Sequence, residues 1–224
     1  MQLVDRIEKR RFVGREFLLW LWFESELFEG TLSTRDEGSF GLWIEKQVTL
    51  TAAKEATRIR GAQPTFGREA KESLLRGKLP ESASFHLLVH DRDAQFTLKA
   101  DRMALAGLSL PAVLGGEEEA PPPIDAPPQR RKKKARDEGE ADDAARESFY
   151  ERMHLTREVE SLLESLYQDF LVLRLGPAWA GVSRAIAAWA RGTPPDAEKY
   201  REMKDRALGE RKRPARAGKA SGVR

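Results

Sequence analysis

The sequence predicts an α+β fold: a short-stranded antiparallel sheet with an inserted helix, packed with a long C-terminal helix and a helical hairpin. Three observations predict it. Residues 40 to 110 break into short runs rich in Val, Ile, Thr and Phe, separated by turn residues. Residues 144–175 keep apolar side chains at helical spacing along much of their length. Between them, residues 114–143 hold prolines and charges and almost nothing that could build a core.

Taken in order, residues 2–13 predict a short helix that Gly14 breaks, and residues 15–27 predict a second helix. The second carries the run from Phe17 to Phe23, apolar on every side, so it is expected to be buried all round. Strands are expected at 40–44, 47–51 and 56–60, with Gly61 to Pro64 stopping the third. Residues 66–75 predict the inserted helix, with Gly77 at its exit. Strands at 84–90, 94–99 and 103–110 complete the sheet. After the linker, one helix spans 144–175 and Gly176-Pro177 ends it. A second covers 178–191 with a stripe of Trp179, Val182, Ile186 and Trp189, and Asp196 caps a last helix reaching 208. The expected units are a sheet unit at 1–113, a linker at 114–143, a helical segment at 144–208 packing on the sheet unit, and a basic tail at 209–224.

Composition narrows the function. The chain has no cysteine, which removes disulfides, thiolate metal sites and cysteine nucleophiles. No apolar run approaches the roughly 20 residues of a membrane span, and the charged N-terminus has no signal core, so a soluble cytoplasmic protein is expected. His86 and His90 are expected on one solvent-side face of a strand rather than in a metal site, and His154 at the edge of the long helix. Gly67 to Lys78 lacks the phosphate-loop spacing, Ser183 lacks a nucleophile elbow, and the carboxylates lie scattered among Lys and Arg as on a solvated surface. Trp20, Trp22 and Trp43 stand in apolar runs and are read as core. Neither an enzyme nor a cofactor or metal protein is expected.

The net charge of +3 hides a lopsided distribution. Residues 1–129 hold 17 basic and 20 acidic residues, and 137–198 hold 6 and 13. The positive charge is concentrated in Arg130, Arg131, Lys132, Lys133, Lys134 and Arg136, and in a tail with Arg211, Lys212, Arg213 and Arg216. These two segments, which contain no aromatic residue, are candidates for sequence-independent attraction to nucleic-acid phosphates.

Six motifs in fixed order carry a family resemblance: FVGREFLLWLW at 12–22, LLRGK at 74–78, QFTLK at 95–99, LSLP at 108–111, FYERM at 149–153 and FLVLRL at 170–175. The series resembles the C-terminal half of RdgC-type recombination-associated proteins over residues 6–179. The resemblance implies a cytoplasmic, nucleoid-associated protein that binds double-stranded DNA with little sequence preference, forms a homodimer, and acts beside a recombinase or a separate partner protein. It places Arg58, Arg60, Gln63, Arg76 and Lys78 on or beside the stretch that faces DNA. Ala62 stands where some members have lysine, and the family's N-terminal half has no counterpart in this sequence, so ring closure around DNA is not implied. The expected function is non-specific DNA binding, to which the resemblance adds a role in modulating recombination. The rival is a protein-interaction or regulatory module whose basic tails serve solubility.

Overall fold

The computed structural model describes residues 3–34, 38–52, 55–90, 92–101, 104–109 and 138–209. The basic run at 130–136, the basic tail and most of the linker lie outside them. Eleven elements follow one another: α1 (Leu3–Leu27), β1 (Thr31–Ser33), β2 (Ser39–Ala52), β3 (Glu55–Gly61), α2 (Arg68–Leu75), β4 (Leu79–Val89), β5 (Arg92–Lys99), β6 (Ala104–Ser109), α3 (Glu138–Leu175), α4 (Trp179–Ala190) and α5 (Ala197–Gly209). The α+β class and the inserted helix are as the sequence predicts.

All strand pairs are antiparallel, and the main order is β1-β2-β4-β5-β6. Strands β1 and β3 share the other edge of β2, β1 pairing with Ser39–Gly41 and β3 with Lys46–Ala52. The two strands expected at 40–44 and 47–51 are one strand. The polar residues between them form a bulge: the register jumps between Ile44 and Val48, and Lys46 takes a left-handed φ of 62°. Lys46 still pairs with Gly61, the last pair of the β2–β3 ladder. Strand β1 carries no sequence signal, because three residues are too few to show a period-two pattern.

Gly14 does not break α1. Helix α1 runs through it, and a Cβ there would lie 2.1 Å from the carbonyl oxygen of Ala100. Glycine serves here to bring the helix against the backbone that follows β5, not to end it. Beyond Gly14 the helix enters the core. Phe17, Leu18, Trp20, Leu21, Trp22 and Phe23 are all at most 1% exposed, each buried Leu or Phe contributing about 1.5–3 kcal/mol. One side of α1 crosses β2 and β4, meeting the inward row Leu42, Ile44, Val48, Leu50, Ala83, Phe85 and Leu87. The other side meets the C-terminal helices. Phe17 packs on Phe170 at 5.4 Å and edge-on to Tyr167 at 5.2 Å, both from α3. Trp22 and Phe23 meet Trp189 of α4, and Phe23 meets Tyr200 of α5 at 5.1 Å. The molecule is therefore layered as sheet, α1, then α3 to α5, and the helical segment reaches the sheet unit chiefly through α1.

Two carboxylates of α1 lie in this interior, against the expectation of solvated surface. Glu24 is fully buried. Its Oε2 accepts from Lys204 Nζ at 2.5 Å and its Oε1 from the Tyr200 hydroxyl at 2.9 Å, while Trp20 Nε1 donates to that hydroxyl. Burial raises the Glu24 carboxyl above its ordinary range, although the Lys204 charge and both hydrogen bonds pull it down. Glu26 accepts from Trp22 Nε1, Trp189 Nε1 and Lys71 Nζ, so α4 and α2 both fasten to it. Lys71 Nζ also sits 3.1 Å from the Trp189 ring centroid, and burial lowers its pKa to about 8 despite Glu26. At α5, Asp196 caps as expected, its Oδ1 accepting from the Lys199 amide at 3.0 Å, a bond that lowers the Asp196 carboxyl.

Gly14→Ala is expected to destabilise the protein by about 2 kcal/mol or more in urea unfolding, because the clash outweighs the gain in helix propensity. Gly38→Ala, where an added Cβ meets nothing within 4 Å, is the matched control and should stay within about 0.5 kcal/mol of the parent. Lys204→Met should cost about 3 kcal/mol by leaving Glu24 buried without its cation, and adding Glu24→Gln should recover part of that stability. The same urea titrations read both.

Candidate nucleic-acid interface

Helices α1 and α2 pack on the inward side of the sheet, and α3 to α5 lie beyond α1. The outward side is polar, and the strand register orders it in rows. In the first, Arg58 of β3 pairs with Thr49 of β2, Thr49 with Ser82 of β4, and Ser82 with Lys99 of β5. In the second, Arg60 pairs with Gln47, and Ser84 pairs with Thr97, their hydroxyls 2.9 Å apart. The third runs Trp43, His86, Gln95 and Ser109.

These rows follow from the alternation that builds the core. Val48, Leu50, Ala83, Phe85, Phe96 and Leu98 point inward, so Gln47, Thr49, Ser82, Ser84, Thr97 and Lys99 must point outward. The first row has an exposed cation at each end, and of the two hydroxyls between them that of Thr49 is buried without a hydrogen-bond partner. Three strand spacings separate Arg58 from Lys99, roughly 14 Å. Both cations are exposed, as is Arg60. At the bulge Lys46 is exposed and its Nζ bonds Gln95 Oε1, beside a small groove of about 150 Å³ lined by Glu45, Ser84, Thr97, Gly107 and Ser109.

The residues that the resemblance places at DNA separate into two groups. Arg58 and Arg60 stand on the outward face. Gln63 is exposed in the connection between β3 and α2, and Arg76, at the end of α2, is exposed with its Nη2 3.9 Å from Glu72. Lys78 differs. Its side chain is 11% exposed, and its Nζ lies 2.9 Å from Thr57 Oγ1 and 3.2 Å from Glu55, bracing the α2–β4 turn against β3. The candidates Arg130, Arg131, Lys132, Lys133, Lys134, Arg136, Arg211, Lys212, Arg213 and Arg216 fall outside the described residues.

Lys46 and Lys99 join this face without having been singled out by sequence. Their signal is modest: Lys46 is the lone cation of β2, and Lys99 ends β5 on the same side as Gln95 and Thr97. Neither stands out until the bulge fixes which residues face outward. His86 and His90 do not share a strand face, contrary to the sequence expectation. Strand β4 ends at Val89, and His90 takes a left-handed φ of 48° in the turn. His86 sits over the Trp43 ring at 4.6 Å, its Nε2 2.7 Å from Asp93 Oδ1 and its Nδ1 3.2 Å from Glu45 Oε1. Trp43 Nε1 donates to the same Glu45 oxygen at 2.7 Å. Trp20 and Trp22 are core, as expected, and Trp43 is half-buried.

Among the described residues no group of three or more His, Asp or Glu is placed to hold a metal ion, and no helix is long and apolar enough to cross a membrane. Compared with protein-family models, curated proteins and solved structures, the chain matches none of them.

The His86 contacts set a pH dependence. Burial lowers its pKa, but the hydrogen bonds and charges of Asp93 and Glu45 outweigh burial and raise it above 6.5. Because the folded value is the higher one, the stabilisation is complete below about pH 6.5 and is lost as pH rises through the folded pKa. NMR titration should place the His86 midpoint above 6.5, and His86→Gln should flatten the stability profile over that interval. A midpoint at or below 6.5 would rule out this charge arrangement.

Proposed function

We propose that this protein binds double-stranded DNA without sequence preference, the outward face of the sheet lying against the phosphate backbone. The observation that supports the reading is the first row, in which the strand-paired residues Thr49 and Ser82 stand between two exposed cations, Arg58 and Lys99. Their separation of roughly 14 Å is comparable to the major-groove width of about 12 Å, so the two cations can meet phosphates on either side of one groove. Arg60 and Lys46 add positive charge to the same face. Hydroxyls and amides can donate to phosphate oxygens, and such contacts position a protein on DNA without reading its bases. The one aromatic ring among these rows, Trp43, is engaged with His86 and Glu45, which argues against base stacking as the main source of affinity. Glu45 and Asp93, at the opposite end of the face from Arg58, leave a basic and an acidic end and so orient the contact.

The basic segments at 130–136 and 211–216 are part of the proposal as further phosphate contacts. A role in recombination, beside a recombinase or a separate partner protein, rests on the RdgC resemblance alone.

The test is binding of the full chain to a random-sequence duplex across a salt series. The triple variant Arg58→Ala, Lys99→Ala, Arg60→Ala should bind more weakly. Its slope of log affinity against log salt should shrink by about 2 to 3, roughly 0.9 for each phosphate no longer neutralised. Replacing the ten basic residues of the two segments by Gln in an otherwise unchanged chain measures their separate share. If the triple variant kept both the affinity and the slope of the parent, the sheet face would be excluded as the DNA surface.

A further inference from the structure

The buried stretch of α1 has one gap. From Phe17 to Phe23 every side chain is at most 1% exposed except Leu19, which is half-buried. Leu19 lines a pocket of about 450 Å³ between α1, α2 and α4, a size within the roughly 300–1,000 Å³ of small-molecule sites. Leu74 and Leu75 of α2, Leu79 of β4 and Ile186 of α4 give it apolar walls, and Leu75 is 57% exposed. The lining runs the whole length of α4, from Trp179 to Arg191, about 18 Å. A long apolar slot fits a chain better than a compact ring.

The two ends of the slot differ in charge. At the Trp179 end the lining carboxylate Glu16 is taken up by Arg174, whose Nε lies 2.6 Å from Glu16 Oε2. The same guanidinium stands over the Trp179 ring, 4.9 Å from its centroid. At the other end Arg191 donates its Nε to the Ala187 carbonyl at 3.0 Å and meets no carboxylate among the described residues. Lys78, the other cation of the lining, is held by Thr57 and Glu55. The charge left without a counterion at this pocket is therefore the Arg191 guanidinium. We propose that the pocket binds an aliphatic monocarboxylate, its alkyl chain along Leu19, Leu74 and Ile186 and its carboxylate at Arg191. The chain covers apolar surface that the three helices leave open to water, and this burial supplies most of the affinity. Arg191 is exposed, so its ion pair adds little strength and serves to set the direction of the chain and to reject a cationic head. The site uses none of the polar rows of the sheet and is independent of the DNA reading.

The test is calorimetric titration of the full chain with decanoate below its micelle concentration. Decanoate should bind saturably at one site, and octanoate about tenfold more weakly for the loss of two methylenes. Decyltrimethylammonium, with the same chain and the opposite charge, should bind about threefold or more below decanoate, and Arg191→Gln should abolish that preference. Two variants block the slot: Ala187→Leu fills it from α4, and Leu75→Glu sets a negative charge at its exposed edge. Each should weaken decanoate by about tenfold or more, with circular dichroism confirming the fold. If one variant fails to fold, the other carries the test. Absence of saturable decanoate binding overturns the proposal. So does binding that a folded variant leaves at full strength, or an alkylammonium that binds as tightly as the carboxylate.

Discussion

The structure depends on one stretch of helix α1, Phe17 to Phe23, that is buried nearly all round. From Phe17 to Phe23 helix α1 is apolar on all sides, and such a helix cannot be satisfied by one neighbouring layer. A sheet can cover half of it, and a second layer must cover the rest. The C-terminal helices are that second layer, with Phe170, Trp189 and Tyr200 as its contact points. Once α1 has taken the inward face of β2 and β4 for itself, no helix among the described residues is left to cover the outward face of the same strands. The exposed polar rows are therefore the other side of the arrangement that buries α1.

An apolar cylinder between two apolar layers is free to rotate unless something directional holds it. Glu24 and Glu26 supply the direction. They stand two residues apart, so they point to different sides of α1, and each reaches a different set of helices. Glu24 binds Tyr200 and Lys204 of α5. Glu26 binds Trp189 of α4 and Lys71 of α2. Rotating α1 by one residue would break both sets while keeping most of the apolar contact. Buried ion pairs often add little net stability, since desolvation offsets attraction. Their value in this interior lies in fixing the angle of α1, and through Lys71 the seat of α2 beside β3.

Most of the element order is legible in the sequence because it rests on periodicity. Helix α3 and the stripe of Val182, Ile186 and Trp189 in α4 have enough turns to declare themselves. Elements that depend on tertiary contact are not legible. Gly14 reads as a helix break when the chain is considered locally, and the approach of Ala100 that requires glycine there comes from a residue 86 positions later. The burial of Glu24 is hidden for the same reason: its partner Lys204 lies in the last helix. For the candidate site, Arg58 and Arg60 are placed by the resemblance and stand outward. Lys78 has the right charge and the right neighbourhood, but Glu55 and Thr57 occupy its ammonium, and no pattern in the sequence announces that contact.

The position of every outward residue is hostage to how β2 accommodates its irregularities. Between the pairs Ile44–Phe85 and Val48–Ala83, strand β2 advances four residues while β4 advances two. The excess is two, an even number, so Val48 still faces the core as Ile44 does, and Thr49 still faces out as Trp43 does. An excess of one would have turned Thr49 and its neighbour Arg58 inward and broken the row to Lys99. The left-handed Lys46 is what absorbs the two residues within a single strand, while Gly61 stays paired opposite it and closes the β3 ladder there. The bulge thus does two things at once. It preserves the alternation on which the core and the polar rows both rest, and it lifts a lysine to the crest of the face those rows share.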